Sequence, residues 1–452
     1  MRALNSNAVA KYSMAGLAAA VMAAAGQGRD LGRETLAPGD GWAASGAGTT
    51  GGAPAASEQV YVVTNRAEMI AALNDGVFSS TSPANPSSEP KILYVDGTID
   101  FNVDDDNLPL TCEDYHRSGY TREAYVAAFD PEVWGRRPTS GPLEIARAAS
   151  ASAQSARVRI RAGSNTTIVG IGKNATLRGV WLDIQGTATN RRRNVIIRNL
   201  TFVDTHDCFP RWDPLDGALG NWNASYDSVA LREIDNVWVD HNTFTQRDFA
   251  PSTHPVYYGR RFEMQDGHLD ITNASDLVTV SWNRFLNHDK VSLVGSSDNA
   301  PRDVGRLRVT LHHNLYHSLG QRTPRVRYGR VHVYNNYYKI AKPPSRGFDY
   351  GYSWGVGVQS AIFAENNFFR VNESVPLDLI IRRFNGAAIH SSGTLVNAAS
   401  DHHFVDLLEE YNAVNDPALS GDVGWAPELF TEIDPTFKVP AAVESGAGPF
   451  NW

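Results

Sequence analysis

The most constraining feature of this sequence is a short pattern that recurs along the chain. Each copy has an alternating apolar strand, a two-residue bend, an Asn, one further residue and an aromatic residue. Five copies occupy residues 236–244, 277–285, 308–316, 330–338 and 361–369, and an earlier one, 194–202, has Leu200 at the Asn position. The shortest interval between the closing aromatics, from Tyr316 to Tyr338, is 22 residues. A unit of this length cannot bury its apolar side alone, so successive copies must stack as coils of a solenoid.

Stacked coils bring equivalent side chains into register. The Asn amides would then hydrogen bond along the stack while the aromatic rings pack inside it; these asparagines are Asn242, Asn283, Asn314, Asn336 and Asn367. A β-propeller blade needs about 40–45 residues, which is too long for this repeat. The pattern therefore predicts an all-β fold, a single-stranded right-handed parallel β-helix with coils of about 22 residues or more and long loop insertions.

The first 58 residues differ in composition from the repeats. Residues 1–26 carry Arg2 and Lys11 and then an apolar, Ala-rich run over 14–25, which is typical of a secretory signal peptide. That run is shorter than the roughly 20 residues that span a membrane, so we expect export and no membrane association after cleavage. Residues 27–58 are rich in Gly, Ala, Ser and Thr and predict a flexible leader.

The β-helix domain is predicted to cover residues 59–452. A short helix is expected at its start, over Arg66–Leu73, because apolar residues there recur at helical spacing. A similar pattern occurs near the other end, over Phe404–Tyr411. Cys112 and Cys208 are the only cysteines, and in an exported protein they form either one disulfide or two buried thiols.

The charge pattern restricts the partners. The formal net charge of −8 argues against nucleic acid and other general polyanion ligands, which basic proteins bind. A local cluster of seven arginines nevertheless lies between Arg302 and Arg330 with Asp303 as its only acid. This cluster is either a focused anion site or a solvated surface, and the sequence leaves both open.

Two aspartates stand out for their spacing. Asp266 and Asp270 flank a glycine and an alternating strand, so their oxygens suit a hard cation such as Ca²⁺, although aspartates are also common in turns. The histidines in and beside the coils favour stacking and hydrogen bonding over zinc binding, since no spaced Cys/His set accompanies them. Trp212, Trp222 and Trp354 lie in insertions and either stack on sugar rings or anchor loops by burial.

Four stretches, 221–229, 266–275, 287–298 and 321–338, carry a family resemblance. In this order they closely resemble the polysaccharide lyase family that contains bacterial pectate lyases, over about residues 160–370. The segments DGHLDI and QRTPRVRYGRVHVYNNYY are long and specific. The resemblance implies a calcium-dependent enzyme that cleaves polygalacturonate, with calcium ligands at Asp227, Asp266 and Asp270 and active-site cations at Lys290, Arg322 and Arg327.

The resemblance also implies roles for the three cations. Arg322 would remove the C5 proton of a galacturonate while Lys290 and Arg327 hold its carboxylate, and the C4–O bond would break by β-elimination. An arginine base is unfavourable at neutral pH, since its pKa is above about 12, so we expect neighbouring cations to disfavour its protonated form and the activity to be highest in alkaline solution.

Three other functions share parts of this pattern. A pectin lyase would act on esterified chains without calcium, and a hydrolase would use two carboxylates as acid and base. A non-catalytic β-helix would bind acidic polysaccharide without cleaving it. The full set of six site residues favours a secreted, monomeric pectate lyase over all three.

Overall fold

The computed structural model describes residues 29–341, 347–398, 400 and 402–452. The signal peptide predicted over residues 1–26 lies outside this part of the chain. Within the described residues, no helix has the length and apolar character needed to cross a membrane.

Three parallel sheets form the body of the molecule, and from Lys91 onward each coil adds one strand to sheet A, then B, then C. The strands of sheet A are Val60–Val63, Lys91–Val95, Thr166–Gly170, Arg192–Arg198, Ile234–Asp240, Asp276–Ser281, Val309–His312, Arg330–Tyr334, Ala361–Glu365 and Ile389–Ser392. Those of sheet B are Thr98–Asp100, Thr176–Arg178, Thr201–Val203, Thr243–Thr245, Arg284–Lys290, Leu315–Gln321, Tyr337–Ile340, Phe368–Val371 and Leu395–Val396. Those of sheet C are Arg159–Ile160, Trp181–Gln185, Val229–Arg232, Leu269–Thr272, Leu293–Val294, Arg325–Val326, Trp354–Gly357 and Ile381–Phe384.

This arrangement is a right-handed parallel β-helix, and the predicted fold class is confirmed. The turn from sheet A to sheet B is short, whereas the long insertions fall between sheets B and C. Two of these insertions contain small antiparallel hairpins, Arg211–Asp213 with Asn221–Asn223 and Val256–Tyr257 with Arg260–Arg261. The insertions therefore rise beside sheet C.

The predicted asparagine ladder runs along the turn between sheets A and B. The Asn314 Oδ1 accepts hydrogen bonds from the Asn283 main-chain N at 2.9 Å and from its Nδ2 at 3.0 Å. The Asn336 Oδ1 accepts the same pair from Asn314, both at 3.0 Å. All five ladder asparagines are fully buried, so each coil's turn is bonded to the next.

The interior is filled by the repeated aromatics and by branched aliphatic side chains. Phe244 and Phe285 stack with ring centroids 5.0 Å apart, and the stack continues through Tyr316, Tyr338 and Phe369. These rings and the Val, Ile and Leu residues of the three sheets form one continuous core. Burying the apolar side of each coil against its neighbours is the main driving force for this fold.

We expect Asn314→Ala to destabilise the fold by at least about 3 kcal/mol, since it leaves several buried polar groups without partners. In the parent, the Asn314 Nδ2 also donates to the Val280 carbonyl oxygen at 2.9 Å. The free energy of unfolding from denaturant titration is the measurement, with the exposed Asn299→Ala as the matched control. Equal unfolding midpoints for the two variants would mean that the ladder contributes little to stability.

The N-terminal residues 29–58 lie across the outer face of sheet A. The Ala43 main-chain N donates to the Thr279 Oγ1 at 3.1 Å, and the Gly52 N donates to the Thr167 Oγ1 at 2.8 Å. A Cβ at Gly52 would lie only 1.9 Å from the Lys91 carbonyl oxygen. The structure thus differs from the flexible leader expected over 27–58: the small residues allow close approach to the sheet.

The C-terminal segment packs on the same face of the solenoid. The Tyr94 hydroxyl contacts the Asp30 carboxylate, and its ring lies 6.1 Å from that of Trp452. The Arg29 guanidinium lies over the Phe450 ring at 5.8 Å. The two ends of the described chain therefore meet on the outer face of sheet A.

Six α-helices accompany the sheets in the described residues: α1 Arg66–Leu73, α2 Arg122–Ala128, α3 Pro131–Trp134, α4 Pro142–Val158, α5 Leu407–Asn412 and α6 Val439–Gly446. Helix α1 has the predicted bounds, and the Asn65 side chain caps it by accepting from the Glu68 N. Helix α5 overlaps the predicted pattern at Phe404–Tyr411. Helices α2, α3 and α4 were not predicted from the sequence.

Helix α4 escaped prediction because its buried face is only partly apolar. Its buried residues are Ala146, Ser150, Gln154 and Val158, so a hydrophobic period is weak in the sequence. Helices α2, α3 and α4 cover a second core that is separate from the solenoid interior. Within it a disulfide joins Cys112 and Cys208, which are 96 residues apart in sequence, and so ties two successive insertions together.

Candidate active site

Three carboxylates meet where the insertions lead into sheet C. Asp270 lies within the strand Leu269–Thr272, and Asp266 precedes that strand. Asp227 precedes the neighbouring parallel strand Val229–Arg232, whose Ala230 pairs with Asp270. This register carries Asp227 next to the 266–270 segment, although 39 residues of sequence separate Asp227 from Asp266.

Gly267 fixes the spacing between two of these carboxylates. Its main-chain N donates to the Asp227 Oδ1 at 2.7 Å. A Cβ at this position would lie 2.5 Å from the Asp270 Oδ1 and 2.8 Å from the Asp227 Oδ1. Only glycine leaves room for both oxygens, so the two carboxylates converge over a backbone that carries no side chain.

The electrostatics of these three aspartates suit a bound cation. Burial and the charges of Asp270 and Asp266 raise the pKa of Asp227 well above its usual value. Burial and the charge of Asp266 raise the pKa of Asp270 to about 7, although the Leu293 N donates to its Oδ1 at 2.9 Å. Oxygen donors that repel one another in this way fit a hard divalent ion such as Ca²⁺.

Two of the predicted cations stand beside Asp266. The Lys290 Nζ lies 3.4 Å from the Asp266 Oδ1, and the Arg322 Nη1 lies 4.0 Å from the same oxygen. Lys290 ends one sheet B strand and Arg322 directly follows the next, because Lys290 pairs with Gln321, the residue before Arg322. The Arg322 backbone has φ 64°, a left-handed conformation that costs free energy in a residue with a side chain.

The pKa of Arg322 is raised, whereas neighbouring cations were expected to lower it. Burial lowers this pKa, but the charges of Asp266 and Asp270 outweigh burial and raise it above its usual value. Burial likewise lowers the pKa of Lys290, but the charges of Asp266 and Glu263 raise it. The net effect is a rise in this pKa. The carboxylates, rather than the neighbouring cations that we expected, therefore dominate this part of the site.

Arg327 lies farther along sheet C, two strands from that of Asp270. Its guanidinium forms an ion pair with Asp298, and its Nη1 donates to the Gly295 carbonyl oxygen at 2.9 Å. Arg325 stacks on the Phe384 ring at 3.9 Å, which agrees with a structural or electrostatic role. The structure thus groups five of the six predicted residues closely and pairs the sixth, Arg327, with a loop carboxylate.

The supporting residues were only partly visible in the sequence. The Arg261 Nη2 lies 2.7 Å from both the Glu263 Oε2 and the Asp289 Oδ2. Asp289, next to Lys290, also accepts from the Gln321 Nε2 at 3.2 Å. Sequence reasoning missed Arg261 and Glu263, because an insertion residue gives no periodic signal of its partner.

His288 supports Asp266 through the main chain. Its Nε2 lies 2.6 Å from the Asp266 carbonyl oxygen, and its ring stacks on that of His268 at 4.0 Å. Both rings are buried. This arrangement matches the structural role predicted for the histidines beside the coils.

The three tryptophans of the sequence analysis are buried structural residues. Trp212, Trp222 and Trp354 are all completely buried. The first two lie in the second core, 5.1 Å apart, and Trp354 lies in the solenoid core. Burial therefore supports loop anchoring for Trp212 and Trp222, whereas the expectation that Trp354 lies in an insertion is wrong, because it begins the sheet C strand Trp354–Gly357.

Fold and site together define a class of protein. Converging carboxylates at sheet C, two cations supplied from sheet B and further arginines of sheet C lie on the same side of the solenoid. A neutral or basic ligand gains little from the arginines, whereas an extended chain of acidic sugars would meet both the cations and a bound metal ion. The protein is a parallel β-helix that carries a cluster of carboxylates and cations between sheets B and C.

Comparisons with known proteins give the family. A family model described as pectate lyase matches residues 139–411. The pectate lyase of Bacillus subtilis (strain 168) is 42% identical over 424 residues, which cover 93% of this chain and 95% of the relative. The solved structure of a thermostable pectate lyase has 44% identity and a TM-score of 0.88, covering 94% of this chain and 100% of the other.

Another solved structure concerns the substrate specificity and anti β-elimination mechanism of a pectate lyase. It is 41% identical with a TM-score of 0.85, and the match covers 93% of this chain and 99% of that one. The chain belongs to the pectate lyase family and is a pectate lyase enzyme.

Proposed function

We propose that this enzyme is a secreted, calcium-dependent pectate lyase that cleaves α-1,4-linked polygalacturonate by β-elimination. The observation that carries this proposal is the convergence of Asp227 and Asp270 over Gly267, with Lys290 and Arg322 beside Asp266. The related structure that describes an anti β-elimination mechanism for its own protein supports the reaction class.

Asp227, Asp266 and Asp270 would hold the calcium ion. When bound there, Ca²⁺ would neutralise the uronate carboxylate and stabilise the negative charge that develops on it as the C5 proton leaves. The chain's own contribution is to keep three oxygen donors together at the end of two neighbouring strands. Gly267 keeps the space between them free, and His288 holds the main chain of Asp266 in place.

Arg322 in its neutral form is proposed as the base that accepts the C5 proton and then releases it to solvent; a cation bound at Asp266 and Asp270 would offset the charges that raise its pKa. The electron pair of the C5–H bond forms the C4=C5 double bond, and the C4–O bond breaks with its electrons passing to the leaving oxygen. That oxygen takes a proton from solvent, so no water is added to the sugar. The left-handed backbone at Arg322 supports a functional role, because strained backbone is retained where a side chain must be aimed.

Lys290 and Arg327 are proposed to bind substrate carboxylates. Lys290 is largely buried next to Asp266, so a uronate near the carboxylate group would meet its ammonium at short range. Arg327 is paired with Asp298 and would exchange that carboxylate for one of the polymer or share it. Guanidinium groups suit this role because they bind carboxylates through two parallel hydrogen bonds.

The disulfide and the N-terminal sequence support the proposal of secretion. Disulfides persist in oxidising compartments outside the cytosol, and Cys112–Cys208 joins two of the insertions between sheets B and C. We propose a monomer as the active form, because all six site residues come from one chain. Calcium and polygalacturonate are the proposed cofactor and ligand.

The function is tested with de-esterified polygalacturonate and highly methyl-esterified pectin, in alkaline buffer containing calcium. We expect new reducing ends and ultraviolet-absorbing unsaturated product in equal amounts from the first substrate and little of either from the second. Reducing ends without absorbance would identify a hydrolase, and preference for the esterified chain a pectin lyase. Binding without cleavage would identify a non-catalytic β-helix.

A further inference from the structure

Two adjacent histidines on the outer face of sheet A lie where the N-terminal segment, residues 29–58, and the C-terminal segment, residues 425–452, cover the sheet. His312 ends the strand Val309–His312, and His313 follows it with a left-handed backbone, φ 53°. Successive side chains of a regular strand point to opposite faces, so this backbone conformation allows both rings to lie outside the solenoid. Both side chains are nevertheless buried, with 4% and 8% of their surface exposed.

An aspartate from each terminal segment contacts one of these rings. The His312 Nε2 lies 3.2 Å from the Oδ1 of Asp40 in the N-terminal segment. The His313 Nε2 lies 3.3 Å from the Oδ2 of Asp434 in the C-terminal segment. The two rings contact each other at their Nδ1 atoms, which are 2.9 Å apart. These four residues therefore form one continuous chain of polar contacts, which we call the histidine clasp.

Aromatic rings hold the two histidines in place on both sides. The His312 ring stacks on that of Tyr334 in the next strand at 4.9 Å, and the His313 ring stacks on that of Trp282 at 4.3 Å. The titratable groups on the elements packed against the pair are Asp40, Asp434, Tyr334, His332, Glu365 and His241. Of these, the two aspartates contact the imidazole nitrogens directly, so each of them joins a terminal segment to the pair.

The contact between the two Nδ1 atoms can hold only one hydrogen. A neutral imidazole carries its hydrogen on one nitrogen, so one ring can donate to the other, whereas a charged imidazole carries a hydrogen on both nitrogens. The bond between the rings therefore persists while at most one of them is charged. When both are charged, two N–H groups face each other across 2.9 Å and the rings must separate.

The surroundings of the pair oppose the second proton. Burial and the charge of His312 lower the pKa of His313 to about 4, and the carboxylates of Asp434 and Asp40 offset only part of this effect. In an open clasp, with water around the ring, the pKa of His313 would return to its ordinary value of 6.5. The closed clasp thus binds this proton less well than the open one. Its stability is complete above pH 6.5 and is lost as the pH falls from 6.5 towards 4.

We propose that the histidine clasp holds both terminal segments on sheet A near neutral pH and loosens them in acid, when both histidines are protonated. The segments also contact each other, because the rings of Trp42 and Trp425 lie 5.9 Å apart, so loosening one should loosen the other. The surface uncovered would include Thr279 and Thr310, whose Oγ1 atoms accept hydrogen bonds from the main chain of the N-terminal segment.

The test is hydrogen exchange of the purified enzyme at pH 7 and pH 5, corrected for the pH dependence of the intrinsic exchange rate. We expect exchange in peptides 36–48 and 425–438 to be roughly 10- to 30-fold faster at pH 5, as a pKa lowered from 6.5 to about 4 implies. The core peptide 277–285 should keep its protection at both pH values. In His313→Gln the second titrating ring is gone, so the acceleration should fall below about threefold.

The matched control is His402→Gln, which replaces an exposed histidine outside the clasp and should keep the acceleration of the parent. Equal acceleration in His313→Gln and the parent, or none in the parent, would overturn the clasp. So would equal acceleration in the core peptide, since that is global unfolding. Should His313→Gln not fold, the pH profile of the parent decides: a rise that begins near pH 6.5 supports the clasp, whereas a rise confined to pH values below 4 belongs to carboxylates and contradicts it.

Discussion

Replacing Arg322 by alanine is expected to lower the turnover of polygalacturonate by about 10²- to 10⁴-fold, the range over which a positioned general base accelerates proton transfer. Arg322 makes one 4.0 Å approach to Asp266 and no other ion pair in the described chain, so its loss should leave the fold intact. The measurement is the initial rate of unsaturated product formation, with the unfolding midpoint recorded for the same preparation.

The control for this variant is Arg370→Ala, which removes an exposed arginine on the outer face of sheet B. It should turn over substrate at the parent rate. A distinction between reaction and binding comes from the kinetic parameters: loss of the base lowers kcat, whereas loss of a binding contact raises KM. An Arg322→Ala enzyme with unchanged kcat and raised KM would make Arg322 a substrate-binding residue.

Removing divalent cations is expected to reduce activity by about 10²- to 10³-fold or more, the scale associated with losing preorganised stabilisation of developing charge. Calcium should restore the activity and also stabilise the fold, by about 2.7 kcal/mol at a concentration one hundred times its Kd. The stabilisation is measured by calcium titration of the unfolding transition and needs no substrate. Full activity in excess chelator would contradict a role for calcium.

The substitution Gly267→Ala tests whether the cation binds between Asp227 and Asp270. The added Cβ would contact the Oδ1 atoms of both Asp227 and Asp270, so we expect weaker calcium binding and a smaller shift of the unfolding transition. Gly421→Ala is the matched control, because the nearest atom to its Cβ is a Leu408 side-chain carbon at 3.3 Å. Equal calcium affinities in the two variants would place the ion away from Gly267.

The solenoid could be predicted because the same sequence pattern recurs in each coil. Each coil carries its own Asn and its own aromatic, and a ladder such as Asn283 to Asn314 to Asn336 follows once the coils are stacked. The segment 29–58 was misjudged for the opposite reason. Small residues such as Gly52 are typical of flexible chain and equally of close packing, and only the position of sheet A distinguishes the two.

The residue types of the site could be predicted from the sequence, but which residues contact one another could be predicted only in part. Asp266 and Asp270 are close in sequence, but the approach of Asp227 depends on the strand register between Val229–Arg232 and Leu269–Thr272. The pairing of Arg327 with Asp298 depends on how a loop folds back across sheet C. Long-range pairs of this kind leave no periodic signal, so only resemblance or a structure supplies them.

The contact between the two ends of the described chain has a consequence for rebuilding the molecule. Arg29 lies against Phe450, so in a chain that begins at Arg29 a short linker could join the two ends into a closed ring without disturbing a coil. New termini opened at an exposed loop tip, such as Asp216–Gly217 between the strands of the first hairpin, would give a circular permutant. The site residues lie in or beside strands of sheets B and C, away from this loop, so such a permutant should keep its site and change only the order in which the coils are synthesised.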